Sequence, residues 1–421
     1  MKALTQVSLV KHVILFSIAI LFVSGFMGCK KTADPVELTF SSWRIDDVDE
    51  MNRINALYTA ANPNITIRFN SYEPTTYDEV TKADLDAGTG ADVLFMFSYD
   101  RGRAFYDGGY LYDLTKVIPN LTSYDQVPVK AWSTESGVTY ALPSVGVTHG
   151  IYYNKSIFAK YNIQEPATWD EFIAACDKLL AGGEKVISQA VGDNTWILNR
   201  VMFCGLGANF YGGETARQGL MSGTKKLTDA NFIDAFKAMY SLKKYFPAGF
   251  ETLGYEDSKV LFASGKAAMF IGGSWEISVL EGLGASSSTI GWFAPPVKKA
   301  GDQLQYCFQV DAGISLNKKS KNLDAALEYI KWLAGSEYAR SVMTELPGFF
   351  SYTPGTSTLT NPLAQKMYNV AATANLTVRL MDEKLNSKSP GGDALMNEAL
   401  QGMFLGTYTP ESAAAYVQSK L

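Results

Sequence analysis

The chain has 421 residues, 47% of them hydrophobic and 19% charged, which is the composition of a soluble globular protein rather than a disordered one. Its formal net charge is -5, and a mildly acidic chain is a poor match for nucleic acid, which needs a basic surface to neutralise phosphates. The sequence contains no zinc-type Cys/His spacing and no P-loop, so we expect neither a metal nor a cofactor.

The N-terminal segment has the layout of a secretory signal. Lys2, Lys11 and His12 form a basic lead, and residues 13–27 follow as an uncharged, largely apolar run of 15 residues. A helix that spans a bilayer needs about 20 apolar residues, so this run has the length of a signal sequence instead. The sequence therefore predicts that residues 1–28 form a signal peptide for export.

A cysteine at the end of this run predicts a lipid anchor. Phe26-Met27-Gly28-Cys29 resembles the bacterial lipobox, in which a small residue precedes a cysteine whose sulfur receives a diacylglycerol before cleavage. Phe26 departs from the Leu that is usual at its position. We expect lipid attachment at Cys29 and a polar tether over residues 29–35, with an uncleaved signal anchor as the alternative.

The next segment predicts a β–α–β–α–β unit. Residues 36–40 and 65–69 alternate between apolar and polar side chains, as strands do, and residues 91–97 form the continuous apolar run of a buried parallel strand. Thr76 and Glu79 have the spacing of a capping box that would begin the helix between the last two strands. This order is typical of a doubly wound α/β domain.

The middle of the chain continues the α/β pattern. Residues 140–155 form a long extended stretch, and Thr168 and Glu171 have the spacing of a second capping box. Three cysteines have irregular spacing and apolar flanks, so we expect buried thiols rather than a disulfide. They are Cys176, Cys204 and Cys307.

Six separated motifs carry a resemblance to a known family. They are residues 88–97, 108–114, 140–155, 166–172, 262–275, and 313–316 with the helix after Asn322. In this order they resemble the family 1 extracellular solute-binding proteins, the group that includes maltose-binding protein. The resemblance covers nearly the whole chain after residue 36.

This resemblance implies both a fold and a function. The fold would be α/β with two lobes of the type II periplasmic-binding-protein kind, interleaved along the chain and joined by a multi-strand hinge. One lobe would hold residues 36–146 plus 296–343, and the other residues 147–295 plus 344–421. The function would be that of the solute-binding component of an ABC importer. It would be a monomer without catalytic activity that closes around a sugar and then docks on permease subunits in the membrane.

Sugar capture calls for aromatic faces that stack on a pyranose and for polar groups that bind its hydroxyls. We expect both kinds of side chain beside strand ends, because open α/β sheets bind ligands there. The aromatic candidates are Trp43, Tyr99, Trp196, Trp275 and Phe350, the last with its neighbour Phe349 as an aromatic wall. The polar candidates are Asp46, Asp47, Asp100, Arg101 and Asp311.

Two other functions remain open from the sequence. The same fold would serve a non-sugar solute, such as a polyamine, an anion or a metal chelate. A lipid-anchored glycoside hydrolase would instead use two carboxylates at a separation set by its mechanism, such as Asp100 with Glu276 or Asp311.

Overall fold

The computed structural model of this protein describes residues 34–192, 196–356 and 359–421. The predicted signal peptide, Cys29 and most of the predicted tether lie outside the described residues, as do Asn194 and Thr195. Within those three ranges, no helix has both the length and the apolar character needed to cross a membrane.

The described residues contain nine β-strands. They are β1 (Val36–Ser42), β2 (Ile65–Ser71), β3 (Val93–Phe97), β4 (Leu142–Asn154), β5 (Met269–Gly273), β6 (Ile290–Phe293), β7 (Gln305–Leu316), β8 (Phe350–Ser351) and β9 (Asn375–Thr377).

Seventeen α-helices occur in the same part of the chain. They are α1 (Val48–Ala61), α2 (Tyr77–Ala87), α3 (Tyr99–Asp107), α4 (Gln126–Ala131), α5 (Lys155–Lys160), α6 (Trp169–Ala181), α7 (Cys204–Leu206), α8 (Ala208–Tyr211), α9 (Gly213–Ser222), α10 (Ala230–Ser241), α11 (Tyr255–Ala263), α12 (Glu276–Gly282), α13 (Leu323–Leu333), α14 (Ser336–Glu345), α15 (Pro362–Ala371), α16 (Gly392–Leu405) and α17 (Pro410–Gln418). A π-helical segment, Leu198–Phe203, precedes α7.

The first three strands form the predicted parallel unit. β1 pairs in parallel with β2 on one side and with β3 on the other. On its far side, β3 pairs antiparallel with the end of β7. The ends of β1 and β3 are therefore neighbours, and the residues that follow both strands lie at the same edge of the sheet.

Two long strands, β4 and β7, join the two halves of the molecule. β4 pairs with β7 over residues 142–148, and over residues 149–154 it pairs with β5 and β6 instead. β7 likewise pairs with β9 at its beginning and with β3 at its end. The register of β4 shifts after Pro143, where a proline can be accommodated because a bulge needs no ladder hydrogen bond from it.

The positions of the lobe boundaries stay a prediction, and local contacts bear on one of them. Val297 forms a bridge with Thr168 and accepts a hydrogen bond from the backbone of Trp169, at the start of α6. Residue 297 thus contacts an element that we assign to the second lobe. We therefore propose that the chain returns to the first lobe within β7 rather than at residue 296.

Of the two predicted capping boxes, one forms and one does not. Thr168 has extended backbone angles, and it exchanges both capping hydrogen bonds with Glu171, which confirms the prediction for α6. Thr76 precedes α2 with a ψ of -5° and makes no side-chain cap, so the box with Glu79 was wrong. A cap residue normally needs extended angles to direct its hydroxyl at the first turn, and Thr76 lacks them.

The cysteine prediction is confirmed for the described residues. The three thiols of Cys176, Cys204 and Cys307 are free and buried. Burial in apolar surroundings raises the pKa of each of them, so they remain protonated packing residues.

Candidate functional site

A cavity of about 300 Å³ lies between the sheet edge after β1 and β3 and the elements around β5. Trp43, Phe97 and Arg101 line it from the first half of the molecule. Trp196 and Trp275 line it from the second half. We call this cavity the cleft. Its walls come from segments that are far apart in sequence and that β4 and β7 bring together.

The first wall is an aromatic column topped by a cation. The Trp43 ring stacks on the Phe97 ring, with 3.7 Å between centroids. The Arg101 guanidinium carbon lies 3.5 Å from the centroid of the same Phe97 ring. Because Trp43 and Arg101 both approach the ring this closely, they occupy its opposite faces. The ends of β1 and β3 position this column, since Trp43 and Phe97 stand at those ends.

A second arginine lies beside Trp43. Arg44 donates from Nε and Nη2 to the two carboxylate oxygens of Asp47, at 2.5 and 3.0 Å. Its guanidinium also lies 5.1 Å from the centroid of the Phe349 ring. Gly348 holds Phe349 here: its φ is +102°, and any Cβ at this position would clash with the Ser274 carbonyl. Glycine is the residue that meets both conditions.

The second wall is a group of three aromatic rings. Trp196 lies with its centroid 6.0 Å from Trp275 and 5.2 Å from Tyr255. The Trp275 indole N–H donates to the Tyr255 hydroxyl at 3.0 Å, which fixes the indole plane. Gly273 makes room for this arrangement, because a Cβ there would overlap the Trp275 ring. The two tryptophans thus present a firm aromatic surface to the cleft.

An arginine–aspartate pair completes the second wall. Arg200, one helical turn after Trp196, donates from Nε to Asp393 at 2.7 Å and is also bonded to it through Nη2. Burial opposes the charged form of Arg200, but Asp393 outweighs this and raises the pKa of Arg200. Asn397, one turn beyond Asp393 on α16, has a buried Oδ1 without a hydrogen-bond partner in the described residues. That oxygen is an acceptor available to a ligand.

Two further carboxylates lie close to the cleft. One of them faces an arginine, and the other is buried. Asp311 of β7 lies 3.5 Å from Nη1 of Arg379, an ion-pair distance. Glu276 is fully buried, and burial raises its pKa well above the usual range despite the nearby charge of Arg44. The Tyr255 hydroxyl donates to Glu276. Its burial therefore favours the protonated form of Glu276.

The structure brings five of the ten predicted site residues together in the cleft and places two elsewhere. The five that line the cleft are Trp43, Arg101, Trp196, Trp275 and Asp311. Tyr99 and Phe350 line a second cavity of about 610 Å³. That cavity also includes Phe308 and Val310, whereas Asp311 lines the cleft.

Strand geometry explains the misplaced aromatic residue. Successive side chains of a strand face opposite sides, so β7 presents Val310 to one cavity and Asp311 to the other. The same alternation at β8 turns Phe350 away and leaves Phe349 on the cleft side. Of the predicted aromatic wall, we therefore keep Phe349 in the candidate site and remove Phe350, and we no longer place Tyr99 there.

The three remaining aspartates do not line the cleft, and two of them form ion pairs. The carboxylate of Asp47 is committed to Arg44. Asp46 lies 3.7 Å from the Lys259 ammonium group. Asp100 lines neither cavity, and burial raises its pKa. None of these three residues lines the cleft. Any effect on the cleft would come through the positions of neighbouring side chains.

Sequence reasoning missed several polar residues that line the cleft. Arg44 directly follows Trp43 at the end of β1, so the strand-end rule that selected Trp43 would also have selected it. Arg200 is one helical turn from Trp196 and shares its helix face. The sequence did not indicate Asp393 or Asn397 as site residues, because no motif places α16 beside the strand ends.

Of the three described carboxylates suggested for glycoside cleavage, Asp311 lines the cleft, whereas Asp100 and Glu276 do not. Such a reaction needs two carboxylates that flank one bond, one of them ready to donate a proton. Asp100 does not reach the cleft, Asp311 faces Arg379, and Glu276 is bound by Tyr255. In the described ranges, no group of three or more His, Cys, Asp or Glu side chains is placed to hold a metal ion. The arrangement suits binding by stacking and hydrogen bonds.

Hinged solute receptors have two α/β lobes joined by strands, with the ligand cleft against those strands. This molecule has that arrangement. Residues 45–340 match the family of bacterial extracellular solute-binding proteins, and the chain belongs to that family. The family predicted from the motifs is thereby confirmed. The proteins of this family are binding proteins rather than enzymes.

Individual relatives agree with this assignment. The chain is 23% identical over 341 residues to the multiple sugar-binding protein of Streptococcus mutans serotype c, with 79% of each chain covered. A solved chitin oligosaccharide binding protein superposes with a TM-score of 0.78 at 23% identity, over 92% of this chain and 98% of that one. A solute-binding protein in complex with raffinose gives 0.77 at 22% identity, over 91% and 98%. The predicted fold class is therefore confirmed.

Proposed function

We propose that this protein is the extracytoplasmic solute-binding component of an ABC importer and that it binds a sugar in the cleft between its lobes. The observation that carries this proposal is the pairing of two indole rings, Trp196 and Trp275, with hydrogen-bonding arginine and asparagine side chains around one cavity. Aromatic faces cover the C–H side of a pyranose, and the polar groups bind its hydroxyls.

The relatives support a sugar as the solute. The named relatives include proteins that bind multiple sugars, maltotriose and maltodextrin. A cavity of about 300 Å³ stands at the lower end of the usual range for ligand pockets. We therefore propose a monosaccharide or disaccharide in the closed cleft rather than a long chain.

The mechanism that fits this geometry is hinge closure. β4 and β7 connect the lobes, and the cleft is lined from both of them, so a solute gains contacts from each lobe only when they approach. A ligand shifts the lobes toward the closed state only if it binds that state better than the open one. The closed surface would then dock on the permease.

A thermal-shift panel tests the proposed solute class. A ligand that binds the folded state raises the melting temperature by an amount that grows with the ratio of its concentration to its Kd. We expect at least one mono- or disaccharide to raise it and putrescine to leave it unchanged. A shift with putrescine and with no sugar would overturn the sugar assignment. Steady release of product from a glycoside would instead favour the hydrolase.

We also propose that the protein is exported and held at a membrane surface by a lipid on Cys29. The lipobox-like sequence before Cys29 supports this, as does membership of an extracellular family. A binder without catalysis serves an importer only when it stays close to its permease. The lipid would provide that proximity.

Fractionation of cells tests the anchor. Cys29→Ser removes the sulfur that would carry the lipid, so we expect that variant to leave the membrane fraction. Lys31→Ser is the matched control, because it changes a nearby residue and keeps the acceptor sulfur. If Cys29→Ser stays in the membrane fraction as fully as the control, the segment is an uncleaved anchor helix and the lipid assignment is wrong.

A further inference from the structure

Three guanidinium groups line the cleft, and each is held by a carboxylate from its own side. Arg44 pairs with Asp47, and Arg200 pairs with Asp393. Arg101 pairs with Asp78 at 2.8 Å. In each pair the carboxylate takes the Nε and Nη2 side of the guanidinium. Because a guanidinium is planar, its Nη1 amino group lies on the opposite side from that carboxylate.

The lining of the cleft therefore offers more donors than acceptors. Asp393 accepts from Arg200 and, at 2.6 Å, from Asn199, so its oxygens are already used. The acceptors on the lining include Asp311, which also pairs with Arg379, the Thr75 hydroxyl and the unpartnered Oδ1 of Asn397. A neutral hydroxyl donates as readily as it accepts, whereas a carboxylate only accepts. The Nη1 groups that the three carboxylates leave free are charged donors, and they match a group of the second kind.

Two of the arginines line the cleft from segments that we assign to different lobes, Arg101 from the first and Arg200 from the second. Burial lowers the pKa of Arg101, and the positive charge of Arg200 lowers it further, although Asp78 acts in the other direction. Asp78 and Asp393 offset part of this repulsion, and the part that remains acts against the empty closed state. An anion between them would reverse this effect and favour closure.

Building on the proposed sugar-binding function, we infer that the natural solute is a sugar acid, whose carboxylate is held between Arg101 and Arg200. The fork of a guanidinium matches the two oxygens of a carboxylate in distance and direction. Trp196 and Trp275 would stack on the ring of the same sugar. Closure of the two lobes would thus be coupled to the charge of the solute as well as to its shape.

Calorimetry with matched ligands tests this inference. The probes are D-glucuronate, D-galacturonate, D-mannuronate and α-1,4-digalacturonate, each compared with its methyl ester and its neutral sugar. The ester keeps the sugar ring and removes only the charge. We expect at least one acid to bind at least about tenfold more tightly than its ester and its neutral sugar. Neutral sugars that bind as tightly as their acids would overturn the inference and leave the proposed function standing.

A pair of variants on α3 assigns the effect to one residue. Arg101→Gln should weaken binding of the acid by about tenfold and of its ester by less than about threefold, because only the acid loses an ionic contact. Arg103→Gln is the control, since Arg103 is on the same helix and pairs with Asp107 instead. Equal losses for acid and ester in Arg101→Gln would contradict the role of its charge. If no sugar of any kind binds the wild type, the proposed function itself fails.

Discussion

Lys259 and Asp46 form an ion pair, with 3.7 Å between the ammonium nitrogen and a carboxylate oxygen. Asp46 follows β1 and Lys259 lies on α11, two elements that we assign to different lobes. Lys259 is only 1% exposed, and its ammonium also pairs with Glu256 of its own helix at 2.8 Å. We therefore propose that the contact with Asp46 links the two lobes and forms when they close.

We predict that Asp46→Asn weakens solute binding by about two- to fivefold. The variant keeps the size of the side chain and removes the charge that faces Lys259 in the closed state. A partly exposed ion pair contributes about 0.5–1 kcal/mol, which sets this range. Isothermal titration calorimetry with a bound sugar measures the change in dissociation constant.

Glu256→Gln is the matched control for that variant. It removes the other carboxylate beside Lys259, but from the same helix, so lobe closure leaves this pair unchanged. We expect the dissociation constant of Glu256→Gln to stay within about twofold of the wild type. Equal losses in both variants would show that the charge of Lys259, rather than its contact across the cleft, controls binding.

Trp196→Ala should weaken sugar binding by about tenfold or more. Trp196 is the indole that packs edge-on to Tyr255 and lies at an angle to Trp275, and it lines the cleft. Loss of one stacked aromatic face removes on the order of 1.5 kcal/mol, and a tenfold change in affinity corresponds to about 1.4 kcal/mol. Fluorescence titration or calorimetry gives the dissociation constants.

Two further variants separate stacking from general damage. Trp196→Phe keeps an aromatic face and should retain most of the affinity. Trp332→Phe changes a tryptophan that stacks on Tyr329, away from the cleft, and should leave binding unchanged. Wild-type affinity in Trp196→Ala would remove Trp196 from the binding site.

Glu276→Gln should alter how stability depends on pH. Burial raises the pKa of Glu276 well above its usual range, and Asp46 and Asp47 act in the same direction. The folded protein then holds a proton that the unfolded chain releases above about pH 4.3. Stability of the wild type therefore falls as pH rises from there toward the raised pKa, and this contribution is absent in glutamine.

Urea unfolding of both proteins at about pH 5 and about pH 8 measures this effect. The free energy of unfolding of Glu276→Gln, relative to the wild type, should be higher at the upper pH than at the lower one. The same difference at both values would mean that Glu276 is ionised throughout, contrary to its burial.

Arg217→Met should lower the free energy of unfolding by about 2 kcal/mol. Arg217 is 2% exposed and holds Glu214 and Glu383, so its removal leaves two carboxylates without their shared cation. Both carboxylates are about one-third exposed, and water reduces the cost below that of a fully buried pair. Urea titration measures the change.

Lys237→Met provides the comparison for Arg217→Met. Lys237 pairs with Glu411, and both side chains are more than half exposed. An exposed pair of this kind contributes less than about 1 kcal/mol, so we expect a change within about 0.5 kcal/mol. A loss for Arg217→Met as small as that of the control would mean that water replaces the Arg217 contacts at no cost.

Much of the fold could be predicted from sequence because its signals are local. Alternating apolar and polar residues predicted β1 and β2, and a continuous apolar run predicted β3. Each pattern reflects which faces of the strand are buried. The two capping boxes show the limit of such signals. Their spacing is the same, but the backbone angles at Thr76 and Thr168 differ, and those angles depend on tertiary contacts.

The candidate site was most predictable where it follows a strand end. Trp43 and Arg101 follow β1 and β3, so sheet topology places them together. Arg200 and Asp393 are 193 residues apart and meet only through packing of α16. Phe349 and Phe350 were predicted together as an aromatic wall, but neighbouring residues of an extended segment face opposite sides, so Phe349 lines the cleft and Phe350 lines the second cavity.

The most direct test of the central claim is mass spectrometry of the solute that the purified protein releases on denaturation. The account predicts one equivalent of a sugar from the wild type and none from the double variant Trp196→Ala/Trp275→Ala, whose cleft lacks both indoles. A polyamine or another non-sugar mass, or a sugar retained equally by the double variant, would contradict it.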